Sequence, residues 1–167
     1  MPMVAIIAGA LSIVAGPAPV AAGVPALRDF TWHPLLPAPD GSALGTHGPR
    51  AARTVALLQM GIPGDAPRHL TVFQVDCVAD RVTSIRGYAV DSTLTRITGD
   101  AAPYGMEPQA AALAKGRPMS LAMVAEAPAG ALAQLACDDT RMNTVPTAPL
   151  SAMIGGASHI DDEQDRK

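Results

Sequence analysis

Aromatic side chains are scarce in this 167-residue chain: one Trp, two Tyr and two Phe, 3% of the whole. Aromatics bury the most surface per residue, so any core has to rest on Val, Leu, Ile and Met. An excess of positive charge is also missing. The formal net charge is −3, and the tail Asp161-Asp162-Glu163-Gln164-Asp165-Arg166-Lys167, with four acids against two bases, supplies −2 of it. The body is therefore nearly neutral. That excludes the basic footprint of a nucleic-acid binder and the polybasic patch of a membrane-surface protein.

Signatures of catalysis are missing as well. The sequence holds no Gly-x-Ser-x-Gly elbow, no phosphate loop and no Cys-x-x-Cys pair. Its histidines, His33, His47, His69 and His159, form no i, i+4 pair. His69 precedes a strand and reads as a solvated strand-end residue. The methionines at 106, 119, 123, 142 and 153 lack a Met-x-x-Met spacing and read as gap-fillers or loop residues. Asp76 beside Cys77 would raise a thiol pKa rather than activate it. Asp138 and Asp139 follow a helix C-terminus, the wrong end of the dipole for acids, and read as a solvated turn. These absences lead to the expectation of a protein that is not an enzyme and carries no cofactor and no metal.

What is present begins with the first 26 residues, which carry no charge. Met3 to Ala15 is an apolar run of signal-peptide length, and Val20-Ala21-Ala22 and Val24-Pro25-Ala26 both suit the small-residue cleavage rule. Basic residues are missing ahead of the run. The competing readings, an uncleaved anchor or a buried apolar strand, fit less well, because a spanning helix needs about 20 residues and Pro17 and Pro19 interrupt this one. Residues 1–26 are thus expected to be a cleaved signal peptide, with a periplasmic, secreted or surface location and no stable membrane insertion after cleavage. Export places a chain where disulfides persist. The two cysteines, Cys77 and Cys137, then read as one bridge. No cysteine follows the apolar run, so a lipid anchor is not expected.

Leu27 to Ala51 is rich in Pro and Gly and reads as loop with a short edge strand at Phe30-Thr31-Trp32. Strands are expected from Arg53 to Met60, from His69 to Cys77, from Arg81 to Val90 and around Thr93 to Thr98, closed by Gly99-Asp100. In the second of these, period two puts Thr71, Phe73, Val75 and Cys77 on the more apolar, core-facing side, and Leu70, Val72, Gln74 and Asp76 on the other. "MEPQAAALAKG" reads as a short helix with Pro108 in its first turn and Gly116 as its stop. Pro118 to Glu126 stays open between strand and helix. "APAGALAQLACDD" is a helix with Leu132, Leu135 and Ala136 on one face. Residues 141–167 are expected to be a disordered acidic tail.

The order Val75-Asp76-Cys77, then Arg81 on the return strand, then Leu135-Ala136-Cys137 resembles the surface-adhesin protein E-like family of Gram-negative bacteria, over about residues 53–138. The resemblance implies an antiparallel sheet with a C-terminal helix bridged to it. Two departures weaken what it implies about adhesion. Met106-Glu107-Pro108 stands where similar sequences have Trp-x-Pro, and the lipobox of the best-known adhesin is missing.

The expected fold is α+β: an antiparallel sheet of four to six strands, a C-terminal helix packed on it and one disulfide, the domain running from 53 to 140. The expected function is an exported binding or adhesion module meeting a host-matrix or envelope protein, with a small periplasmic regulator or inhibitor of an envelope enzyme as the alternative. Arg81, Arg86, Tyr88 and Arg96 are the candidate binding surface, against a simpler reading as a solvated sheet face.

Overall fold

A computed structural model describes residues 23–35, 42–59 and 68–155. Most of the expected signal peptide, residues 1–22, and the acidic end of the tail, residues 156–167, lie outside the described residues.

Among the described residues, six strands follow one another: β1 (Thr31–Pro34), β2 (Ala43–His47), β3 (Arg53–Gln59), β4 (Arg68–Asp76), β5 (Arg81–Val90) and β6 (Ile97–Ala101). Each pairs antiparallel with the next, giving an uncrossed meander. A two-residue β7 (Met119–Ser120) pairs with Arg81 and Val82 at the start of β5, where β6, which pairs only with Gly87 to Val90, leaves that edge free. The α+β fold is as expected, with this short seventh strand added.

The sheet starts earlier than the domain boundary at 53. β1 is the expected edge strand, but β2 lies in a stretch read as loop. Its sequence, Ala43-Leu44-Gly45-Thr46-His47, has only one bulky apolar residue, so no alternation announces it. The glycine is required by packing: a β-carbon at Gly45 would stand 2.8 Å from the Trp32 ring directly across the β1–β2 ladder. β6 begins at Ile97, not Thr93, and Gly99 and Asp100 lie inside it. The Asp91 carboxylate explains the difference. It accepts from the Thr93 hydroxyl (2.8 Å), from the Thr95 hydroxyl and N–H (2.6 and 2.7 Å) and from the Arg96 N–H (3.1 Å), which holds 91–96 as a loop.

The helical layer follows. α1 (Glu107–Ala114) starts with Pro108 in its first turn, and the chain leaves it through Gly116 at φ +75°. The open segment 118–126 divides into β7 and α2 (Leu121–Val124), with the Ser120 hydroxyl accepting from Met123 N–H as the cap. α3 (Pro128–Leu135) is the expected helix, turned slightly: its buried face is Ala129, Gly130 and Ala133, continued by Ala136, while Leu132 and Leu135 are half-buried at its margin. α4 (Asp139–Met142) and α5 (Leu150–Gly155) occupy part of the expected tail. Leu150 is buried, Met153 packs beside it, and Ala148 N–H donates to Trp32 O at 3.1 Å. Order therefore continues at least to residue 155.

Both faces of the sheet are covered. Leu44, Val55, Leu57, Phe73, Val75 and Ile85 meet the helical layer through Met106, Leu121, Val124 and Ala133. The opposite face, expected to be the outer one, is a second core. Leu58, Leu70, Val72 and Val90 lie there under Leu27, Phe30, Trp32, Leu94 and Leu150. Residues 24–32 and 148–153 supply that cover from both ends of the chain, which a strand's own alternation cannot reveal.

Candidate functional site

The second core does not cover its whole face. Its rows of side chains follow from the strand register. His47, Thr54, Gln74 and Ser84 stand directly opposite one another across β2, β3, β4 and β5 and form one polar row. The next row is Gly45, Ala56, Val72 and Arg86; the one beyond is Ala43, Leu58, Leu70 and Tyr88. A cavity of about 430 Å3 opens over these rows, walled on one side by Gly23, Val24 and Pro25. It is lined by the whole polar row and by Val72, Arg86 and Tyr88.

Two of the four candidate binding residues meet here. Arg86 is exposed, and among the described residues its guanidinium makes no hydrogen bond or ion pair. Tyr88 is 1% exposed, and its buried hydroxyl has no hydrogen-bond partner among the described residues. The structure does not bring the other two to the groove. Arg81 stands at the start of β5, opposite Asp76 and Ser120. Arg96 belongs to the loop held by Asp91. The face assignments on β5 also shift. Strict period-two alternation would put Val82 beside Arg86 and Tyr88, but it lies in the first core with Ile85. A bulge is the cause: Gln74 pairs with Ser84 and Val75 with Val82, leaving Thr83 over, and its hydroxyl donates to Gln74 O at 3.1 Å. An extra residue reverses the alternation, placing Ser84, Arg86 and Tyr88 together on the groove side.

The polar row holds both donors and acceptors. The Thr54 hydroxyl donates to Gln74 Oε1 at 3.1 Å, so the Gln74 amide turns its N–H groups outward. His47 Nδ1 lies 3.0 Å from the Asp29 carbonyl, which only accepts, so this nitrogen carries the proton. Phe30 holds the same ring at 5.9 Å between centroids. Among the described residues, no acidic side chain lines the cavity.

A second polar centre flanks the bridge. Cys77 and Cys137 are joined, with Cα atoms 5.4 Å apart. Beside them Asp139 accepts from Arg50 and Arg53, each at 2.8 Å, and the same guanidinium nitrogens donate to Cys137 O (2.8 Å) and Ala136 O (2.7 Å). The hydrogen bonds from Arg53 and then Arg50 hold the Asp139 carboxyl below its usual range. Asp138 and Asp139 are therefore not a solvated turn past a helix end. They open α4, where Asp138 Oδ1 accepts from Arg141 N–H at 3.1 Å. Asp76 is a turn-closing residue, its Oδ1 accepting from the N–H groups of Val78 (3.0 Å) and Ala79 (2.9 Å). These carboxylates serve as structural acceptors in the turn, the helix cap and the clamp.

The histidines are separated. His33 is buried, with Nδ1 3.3 Å from Val145 O. His69 is not a solvated strand-end residue: it lies within β4, half-buried, 6.4 Å from the Tyr104 ring, with Nδ1 buried and unpaired. Among the described residues, no group of three or more His, Cys, Asp or Glu is placed to hold a metal ion.

Of the groove residues, His47, Thr54, Gln74 and Ser84 are not among the sequence-predicted site residues. One signal pointed to them: Gln74 interrupts the apolar run Leu70, Val72 on its own face. No family model, curated protein or solved structure matches this chain. The resemblance to the surface-adhesin protein E-like family rests on the quoted residues alone.

Proposed function

We propose that this chain is an exported, non-enzymatic binding module of the bacterial envelope or surface, and that the groove at Arg86 and Tyr88 receives a segment of its protein partner. One observation carries the reading: Arg86, whose guanidinium has no counter-ion among the described residues, stands over a polar row that spans four strands. A guanidinium in that setting is free for intermolecular pairing. The covalent Cys77–Cys137 bridge is compatible with an oxidising compartment, and among the described residues no helix is long and apolar enough to cross a membrane.

The test is a binding assay of the purified protein against fractionated envelope and host-matrix proteins, wild type beside Arg86→Glu. The expected result is a saturable partner whose affinity drops at least about tenfold in the variant, the cost of setting like charges face to face at a rim pair. Equal capture by both proteins would remove the groove from the function. An envelope enzyme among the partners, losing turnover on binding, would move the assignment to a periplasmic regulator. Mass spectrometry of the secreted protein tests export separately. A mature N-terminus near Gly23 or Leu27 is expected, and a cytosolic chain starting at Met1 would overturn it.

A further inference from the structure

We infer that the groove is built for a carboxylate, presented by an acidic side chain of the partner; this rests on the groove being the binding site. The first argument is donor balance. Arg86, Gln74 and Ser84 line the cavity, and Gln74, whose Oε1 already accepts from Thr54, has its amide N–H groups left to donate. A guanidinium and an amide donor in a wall with no acidic side chain among the described residues fit an anion.

The second argument is charge. Arg86 is the single Arg or Lys lining the cavity among the described residues. One guanidinium matches a monoanion, and its planar fork matches the two oxygens of a carboxylate. A phosphate dianion would be left half-compensated. Finally, Val24, Pro25 and Val72 give the cavity an apolar side, and about 430 Å3 holds a side chain with its backbone but not a folded element.

The experiment is a two-dimensional NMR titration of the full protein with N-acetyl-glutamate N-methylamide and its neutral isostere N-acetyl-glutamine N-methylamide. Glucuronate against glucose asks whether a free sugar acid serves as well, and inorganic phosphate tests charge alone. The expected result is saturable shifts at Gln74, Ser84 and Arg86 with capped glutamate, at a dissociation constant of about 1 mM or tighter. The glutamine isostere should bind at least about tenfold more weakly, the ratio expected for losing a charge-assisted pair. Arg86→Gln should abolish the shifts.

Glucuronate binding tighter than capped glutamate would keep the carboxylate and overturn its protein source. Phosphate binding tighter than every carboxylate would overturn the carboxylate assignment. Equal binding of glutamate and glutamine, or shifts unchanged in Arg86→Gln, would do the same. If the carboxylates fail while Arg86→Glu still loses a protein partner, the binding function stands and this ligand chemistry falls.

Discussion

A β-carbon at Gly130 would stand 1.8 Å from the Val124 carbonyl oxygen and 2.4 Å from its carbon. Helix interiors ordinarily gain about 0.5–1 kcal/mol when alanine replaces glycine. Here the contact is with backbone, which cannot rotate away, and overpacking costs about 1–3 kcal/mol. The second effect wins. Gly130→Ala is expected to lower stability by about 1–2 kcal/mol net of the propensity gain, read as a lower urea midpoint at unchanged slope; a raised midpoint would show that α2 and α3 part easily. The same scale shows why the groove was only half legible. Arg86 and Tyr88 stood out as polar or amphipathic residues on a strand. Thr54 and Ser84 did not, because their role comes from lying opposite Gln74 on neighbouring strands.

At the scale of elements, Asp139 joins four pieces: α4, the end of α3, β3 and the short turn Arg50–Ala52. Its carboxyl is held low by Arg53 and Arg50. A group whose folded pKa is depressed stabilises fully above its unfolded value and loses that contribution as pH falls toward the folded one. The loss therefore begins near about pH 5, where an unfolded aspartate starts to bind protons. Asp139→Asn is expected to be less stable than wild type at neutral pH, with the gap narrowing between about pH 5 and pH 3. Denaturant midpoints measured across that range check it; a constant gap would mean the carboxylate's charge does not hold the clamp. Asp91 follows the same sign. Partial burial raises its pKa, but hydrogen bonds led by those of Thr95 and Arg96 outweigh it, and the carboxyl stays well below its usual range. The elements themselves were legible where their pattern is local: β3, β4, β5, α1 with its Pro108 start and Gly116 stop, and α3. β2 was not, since a strand carrying Ala43 and Gly45 under a tryptophan has no alternation of its own to read.

Over the whole molecule, the bridge ties the β4 end of the sheet to the end of α3. Closing a loop across a sequence separation of 60 is worth about 4 kcal/mol in the chain-entropy account. Small domains have roughly 5–15 kcal/mol in total, and this one has few aromatics to add. A Cys77→Ala/Cys137→Ala variant is expected to lose about 4 kcal/mol, measured by urea unfolding. It should keep its groove signals well below the melting point, because the cavity is lined by the sheet and residues 23–25, not by the helical layer. Loss of those signals while the fold persists would couple the two faces.

The sequence alone determined the class of the molecule. Alternating strands and Pro and Gly punctuation are local features that act through their own neighbours in the chain, and a cysteine count of two is compositional. The tertiary structure decided the rest. It made Leu70 and Val72 part of a second core, because the Gly23–Trp32 and Ala148–Met153 segments fold back over them. It also turned Arg86 and Tyr88 toward Gln74, because one extra residue at Thr83 reverses the side-chain alternation. Which face a side chain meets depends on partners far along the chain, and register between strands is set only when the sheet assembles.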